Sequence, residues 1–168
     1  MNPELEQTFL TALEQHQQKI LRICSIYAED EDDRKDLFQE ALINIWESIP
    51  SFQDRSSLST WMFRVTLNVC MRLQERKVRR RDRFRRLHFI KIEPVYEQEP
   101  NPEESERLKK LRSCLRKLND ADKAISSLYL EEMSYLEISA ITGLTENNVA
   151  VKMKRIKIKL LKCINSTI

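Results

Sequence analysis

A chain of 168 residues with a single glycine, Gly143, is narrowly constrained in what it can build. An average chain of this length carries about 12 glycines, at roughly 7% usage. Phosphate-cradling loops, the dinucleotide fingerprint and the nucleophile elbow each place glycines within a few residues of one another, so none of them is available. With only five prolines as well, a β-rich fold would lack the residues its tight turns need. Leu, Ile, Glu, Lys and Arg dominate instead, and most of these favour helix. The expected fold is all-α, and the length suits one ordinary domain or two small ones.

Apolar residues recur at helical spacing in three stretches of the first half. Leu5, Phe9, Leu13, Ile20, Ile23, Cys24 and Tyr27 mark one long amphipathic helix. The acidic stretch 29–33 interrupts it, and a second stripe follows through Leu37, Phe38, Ala41, Leu42, Ile45, Trp46 and Ile49, ended by Pro50. After the polar connection 52–57, a third stripe runs through Leu58, Trp61, Met62, Val65, Val69 and Leu73. Three such helices can share one core.

Composition then changes twice. Residues 76–91 hold nine Lys or Arg against one acid, Asp82, while residues 93–106 hold six Glu, three Pro and no base. The overall charge of +3 hides this sorting. Prolines and like charges predict an acidic linker without a core, placed at 88–107 between a first domain at 1–87 and a second at 108–168. About 20 extended residues span up to about 66 Å, so the flanking domains need not sit close together.

In the second domain Leu108, Leu111, Leu115 and Leu118 predict a helix, followed after Asn119-Asp120 by another with Ile125, Leu128 and Tyr129. Ser134 and Glu137 have capping-box spacing, and Leu136, Ile138 and Ile141 supply the packed face of a short helix. Thr142-Gly143-Leu144 is a turn built on the residue that accepts positive φ, and Thr145 caps a last helix with Val149, Met153, Ile156, Leu160 and Ile164 inward. This is a helix-turn-helix, whose second helix enters a DNA major groove in proteins that use it. That helix carries six Lys or Arg and no acid after Glu146. Asn147, Asn148, Lys152 and Arg155 are the base-reading candidates, because amides and guanidinium groups pair with base edges. A solvated basic helix with an Asn near its start is the alternative.

Two further surfaces stand out. Arg64, Asn68, Arg72, Glu75 and Arg79 form a polar stripe on the third helix, suited to following a nucleic-acid backbone, while the loop with Arg55, Ser56 and Ser57 suits an unstacked base. An ordinary surface helix would show the same stripe. Trp46 and Trp61 fall near inward stripes, so core packing is expected of them rather than base stacking. On the second helix Asp36, Gln39, Glu40, Ile43 and Glu47 define an acidic, partly apolar face suited to a basic protein partner, although acids near a helix start also answer the macrodipole.

Cys24, Cys70, Cys114 and Cys163 lie more than forty residues apart, and with His16 and His88 they lack metal-ligand spacing. Reduced thiols packed in helical cores are expected, with no metal and no cofactor. The first residues, MNPELEQTFL, lack the marks of a signal peptide, and no apolar run approaches a membrane span, so a cytoplasmic protein is expected.

Taken in order, these segments resemble the sigma factors of bacterial RNA polymerase, in the small extracytoplasmic-function (ECF) group that keeps sigma domains 2 and 4. Asp36-Leu-Phe-Gln-Glu40 with Trp46 is similar to that family's core-binding helix, and Ser57-Leu-Ser-Thr-Trp61 through Asn68 to its minus-ten helix. The segment Tyr135 to Val149 is similar to its minus-35 helix-turn-helix. The resemblance implies that Asp36, Leu37, Gln39 and Glu40 bind the β′ clamp, and that the last domain contacts the β flap. It further implies a base pocket at Gln53, Asp54, Arg55, Ser56 and Ser57, and strand contacts from Arg64, Asn68 and Arg72. Minus-35 contacts would come from Thr145, Asn147, Asn148, Lys152, Arg155 and Lys159. The acidic linker would lie in the RNA exit channel, and an anti-sigma factor is a partner common in the group. The expected function is promoter selection and DNA opening for the polymerase core, without catalysis by this chain. A stand-alone helix-turn-helix regulator and a helical adaptor with no DNA role are the alternatives.

Overall fold

The computed structural model of the chain describes residues 2–75 and 106–166. Every regular element among them is helical, and the chain divides into two compact units. The basic run and residues 88–105 of the expected 88–107 linker lie outside the described residues, whereas Glu106 and Arg107 are helical.

The first unit comprises α1 (Pro3–Tyr27), α2 (Glu31–Ser48), a 3₁₀ turn at Ile49–Ser51 and α3 (Leu58–Glu75). Local chemistry sets the helix ends. Asn2 caps α1 by accepting from the Glu4 N–H, and Pro3 occupies the first turn, where its missing N–H costs nothing. Asp30 caps α2 by accepting from the Asp33 N–H, with three acids in the positive first turn. Phe9, Ile20, Leu37, Phe38, Leu42 and Met62 are among the fully buried side chains of the core, and Trp46 packs on Phe9 with ring centroids 5.0 Å apart.

The expected exposed face of α2 is corrected here. Glu40 and Ile43 are 4% and 1% exposed, and Leu37 is buried with them, leaving Asp36 and Gln39 half-buried and Glu47 exposed. The cause is topological: α1 and α3 both pack on α2, and a helix with two neighbours buries a wider arc than one with a single core face.

His16 on α1 meets Phe63 edge-on, with centroids 5.6 Å apart. Burial, assisted by the Lys19 ammonium, holds its pKa below the ordinary imidazole value. The unfolded chain therefore binds more protons than the folded one just below that value. This contribution to stability is complete above about pH 6.5 and declines as the pH falls towards the depressed folded value. Denaturation midpoints of the chain between about pH 5 and 7.5 should show this decline, and His16→Gln should flatten it; an equal slope in the variant would assign the effect to other groups.

The second unit comprises α4 (Glu106–Arg116), α5 (Asp120–Leu130), α6 (Tyr135–Thr142) and α7 (Glu146–Asn165). Asn119 caps α5 by accepting from the Asp122 N–H at 2.8 Å. Residues Asp122 to Leu128 are all buried, so α5 runs through the middle of the unit, and Ser126 and Ser127 satisfy their hydroxyls on the carbonyls of Asp122 and Ala124. Along α7, Val149, Met153 and Ile156 point inward. Leu136 does not join Ile138 and Ile141 in the packed face, which corrects the expectation for it; it is 64% exposed. Two helical residues apart means opposite directions, so Leu136 and Ile138 cannot share a side.

The cysteines divide unequally. Cys24 and Cys70 are buried free thiols, in keeping with the expected packing role. Cys114 and Cys163 are joined in a disulfide, which corrects the expectation of four reduced thiols. Their 49-residue separation carries no local pattern that would betray the pairing.

Candidate nucleic-acid interface

The helix-turn-helix is assembled by short-range bonds. The Glu137 N–H donates to Ser134 Oγ at 3.1 Å while the Ser134 N–H donates to Glu137 Oε2 at 2.7 Å, closing the capping box. Gly143 takes φ +79°, and its N–H bonds the Ser139 carbonyl at 2.9 Å. Added atoms at Gly143 would meet open space, so the backbone conformation alone requires glycine here. Thr145 then caps α7 by accepting from the Asn148 N–H at 3.2 Å. Its hydroxyl is thereby engaged at the very start of the helix that a groove would receive.

Asn147 and Asn148 are exposed in the first turn of α7, with Arg155 exposed and Lys152 half-buried further along. Val149, Met153 and Ile156 anchor the opposite side, so these polar groups project from a fixed helix. Two other bases turn back towards the unit. Lys157 Nζ bonds the Tyr129 hydroxyl at 3.1 Å and lies 4.6 Å from the centre of its ring; that hydrogen bond raises the ammonium pKa. Lys159 Nζ bonds the buried Asp122 carboxylate at 2.6 Å. Lys159 thus carries a structural ion pair in addition to its positive charge at the surface. Tyr129 and Asp122 were not legible as partners of α7, because both lie on a different helix with no sequence link to it.

In the first unit Arg64, Asn68 and Arg72 are exposed along α3, four residues apart and opposite Met62, Thr66, Val69 and Leu73. Arg79 lies outside the described residues. Arg72 Nη2 donates to Asn44 Oδ1 at 3.0 Å, and Asn44 Nδ2 donates to the Glu40 carbonyl at 2.8 Å. Asn44 therefore ties the stripe on α3 to α2 beside Glu40. Sequence reading missed it, since its spacing to neither stripe is distinctive.

The connection before α3 is ordered by its own hydroxyls. Ser57 accepts from the Thr60 N–H at 3.2 Å, which caps α3, and Phe52 and Trp61 pack with centroids 5.4 Å apart. Trp61 is half-buried against Phe52, whereas Trp46 is in the core. Gln53, Asp54, Arg55 and Ser57 are exposed and Ser56 is half-buried. Asp54 supplies the left-handed turn, with φ +53°, a conformation Asp tolerates better than most residues. On α2, Gln39 Oε1 is buried without a hydrogen-bond partner among the described residues, at a cost of about 1–3 kcal/mol.

Comparison with known proteins adds a second line of evidence. Residues 12–84 match the family described as Sigma-70 region 2, and residues 108–160 match Sigma-70, region 4. The chain is 32% identical over 72 residues to the ECF RNA polymerase sigma factor SigG of Mycobacterium tuberculosis, covering 43% of this chain and 20% of SigG. It is 26% identical over 147 residues to the ECF RNA polymerase sigma factor SigE of Mycolicibacterium smegmatis, covering 84% and 55%. The chain thus spans about half, or less, of the length of these two curated relatives. Among solved structures, CnrH in complex with the cytosolic domain of CnrY shares the fold, with a TM-score of 0.68 at 19% identity over 97% of this chain and 91% of that one.

Proposed function

Because the chain belongs to the sigma-70 family, in its extracytoplasmic-function group, we propose that it binds the core of a bacterial RNA polymerase, directs it to particular promoters and aids DNA opening. One observation carries this reading: the two sigma regions fall in order on one chain, each on its own helical unit, and each unit exposes a polar helix face. We take the domain limits as 1–87 and 108–168, joined through the acidic segment 88–107, whose last two residues already belong to α4. The chain acts in the cytoplasm, where the polymerase is, and leaves catalysis to the polymerase.

The first domain attaches to the β′ clamp through α2. Asp36 and Gln39 make the contact, and Leu37 and Glu40 set the position of the helix from beneath, being buried. The loop at Gln53, Asp54, Arg55, Ser56 and Ser57 holds an unstacked minus-ten base, and Arg64, Asn68 and Arg72 follow the adjoining strand. A pocket that accepts only unstacked bases binds melted DNA selectively and so shifts the duplex towards the open state. The second domain reads the minus-35 duplex with Thr145, Asn147, Asn148, Lys152 and Arg155, while Lys159 adds positive potential near phosphates. Exposed Leu136 and Leu161 offer apolar surface for the β flap. An anti-sigma factor is the partner that would hold the chain inactive; the sigma factor RpoE of Bartonella quintana, of like fold with a TM-score of 0.65, was solved with the anti-sigma factor NepR.

The test is transcription of genomic DNA by core polymerase with and without the purified chain, read by sequencing the transcripts. New, discrete start sites in its presence are expected. Unaltered transcription together with tight unaided binding to duplex DNA would transfer the chain to the stand-alone regulators.

A further inference from the structure

A disulfide is out of keeping with a cytoplasmic setting, where bonds of this kind are mostly transient, catalytic or sensing. Cys114 on α4 and Cys163 near the end of α7 are nevertheless joined, with Cα atoms 6.0 Å apart. The other two cysteines provide an internal contrast. Cys70 donates to Cys24 with sulfurs 3.8 Å apart, both are completely buried, and they remain unbonded. That hydrogen bond, together with burial, pushes the Cys70 thiol well above its usual range, which suppresses the thiolate needed for oxidation. Cys163 is only half-buried and lies in the least anchored part of its helix. Beyond Ile156, α7 has no fully buried residue; Leu160, Cys163 and Ile164 are half-buried, and the polar ties Lys157–Tyr129 and Lys159–Asp122 both lie before Leu160.

We propose that Cys114 and Cys163 form a reversible oxidation site that fastens the C-terminal half of α7, the DNA-reading helix, to α4. The reversibility rests on the reading of the chain as a cytoplasmic sigma factor. The oxidant is a hydroperoxide. The Cys163 thiolate, the more accessible of the two, attacks a peroxide oxygen; the O–O bond breaks, a sulfenic acid forms and hydroxide leaves. The Cys114 thiol then attacks the sulfenic sulfur, forming the S–S bond; its proton leaves with the sulfenic hydroxyl as water, and the proton that Cys163 released on ionising converts the hydroxide to the second water. Two thiols and one hydrogen peroxide give one disulfide and two waters, the sulfurs supplying the two electrons that reduce the peroxide. A dithiol reductant restores both thiols by exchange through a mixed disulfide.

Closing a loop of this length restricts the unfolded chain, and the second unit is small, so oxidation should raise its melting midpoint by about 10 °C or more. The experiment uses the purified full chain, reduced with dithiothreitol, desalted and then treated with about one equivalent of hydrogen peroxide. Differential alkylation with peptide mass mapping should show Cys114 and Cys163 protected, and Cys24 and Cys70 still reduced. Amide hydrogen exchange over residues 157–165 should slow on oxidation, and dithiothreitol should reverse both changes without denaturant. Cys163→Ser, a mild change at a half-buried position, should abolish the midpoint shift and the exchange difference. A bond that yields to dithiothreitol only after unfolding, or oxidation of Cys24 and Cys70 in step with the other pair, would overturn the proposal. The same samples are tested with core polymerase. Thiols that interconvert as described while neither form starts transcripts would uphold the oxidation site and remove the promoter reading instead.

Discussion

Replacing Lys152 and Arg155 together by alanine should weaken binding of the chain, in complex with core polymerase, to an upstream promoter element by about 30-fold or more. Each base-edge contact discriminates by about 1–3 kcal/mol, and Arg155 projects from the exposed side of α7 while Lys152 lies at the edge of the side buried through Val149, Met153 and Ile156. Preference over a scrambled duplex at fixed salt should fall along with affinity. A loss confined to phosphate attraction would instead weaken all sequences alike and lower the salt dependence. Arg155 is exposed and Lys152 half-buried, so folding should survive, and circular dichroism of the variant provides that control. Full promoter selectivity in the double variant would mean that α7 presents a different face to DNA.

The second large effect is expected far from any proposed contact. Phe9→Ala should destabilise the first unit by about 3–5 kcal/mol, a substantial part of the roughly 5–15 kcal/mol that holds a domain folded. Phe9 is completely buried and packs on Trp46, so its loss empties space between α1 and α2. Since α2 carries Asp36 and Gln39, and Asn44 ties α2 to Arg72 on α3, both polymerase association and minus-ten function should decline with the fold. Urea unfolding of the first unit measures the loss directly. A cost below about 1 kcal/mol would show that the core closes over the gap and that α1 contributes little to the site.

These two effects also mark how far the sequence could be read. The caps on α6 and α7 were accessible because such a cap is a bond between residues three apart, and so is written in neighbouring letters: Ser134 with Glu137, Thr145 with Asn148. The polar stripe Arg64, Asn68, Arg72 was accessible for a similar reason, since helical periodicity places residues four apart on one side. Exposure on α2 was misread because periodicity reports which residues share a face and not how many neighbours the helix has. Glu40 and Ile43 are buried by a second packing partner that no local pattern announces.

By itself, then, the amino-acid order determined the helical class, the turn at Gly143, the helix caps and the alignment of polar side chains along α3 and α7, all of which depend on interactions within a few residues. Only the tertiary structure decided that α2 is enclosed, that Lys157 and Lys159 turn back to Tyr129 and Asp122, and that Cys114 meets Cys163 while Cys24 and Cys70 stay unbonded. Each of these is a meeting of side chains from different helices. Such meetings follow from how whole helices settle against one another to bury apolar surface, and that choice is made by the core as a unit rather than by any short segment.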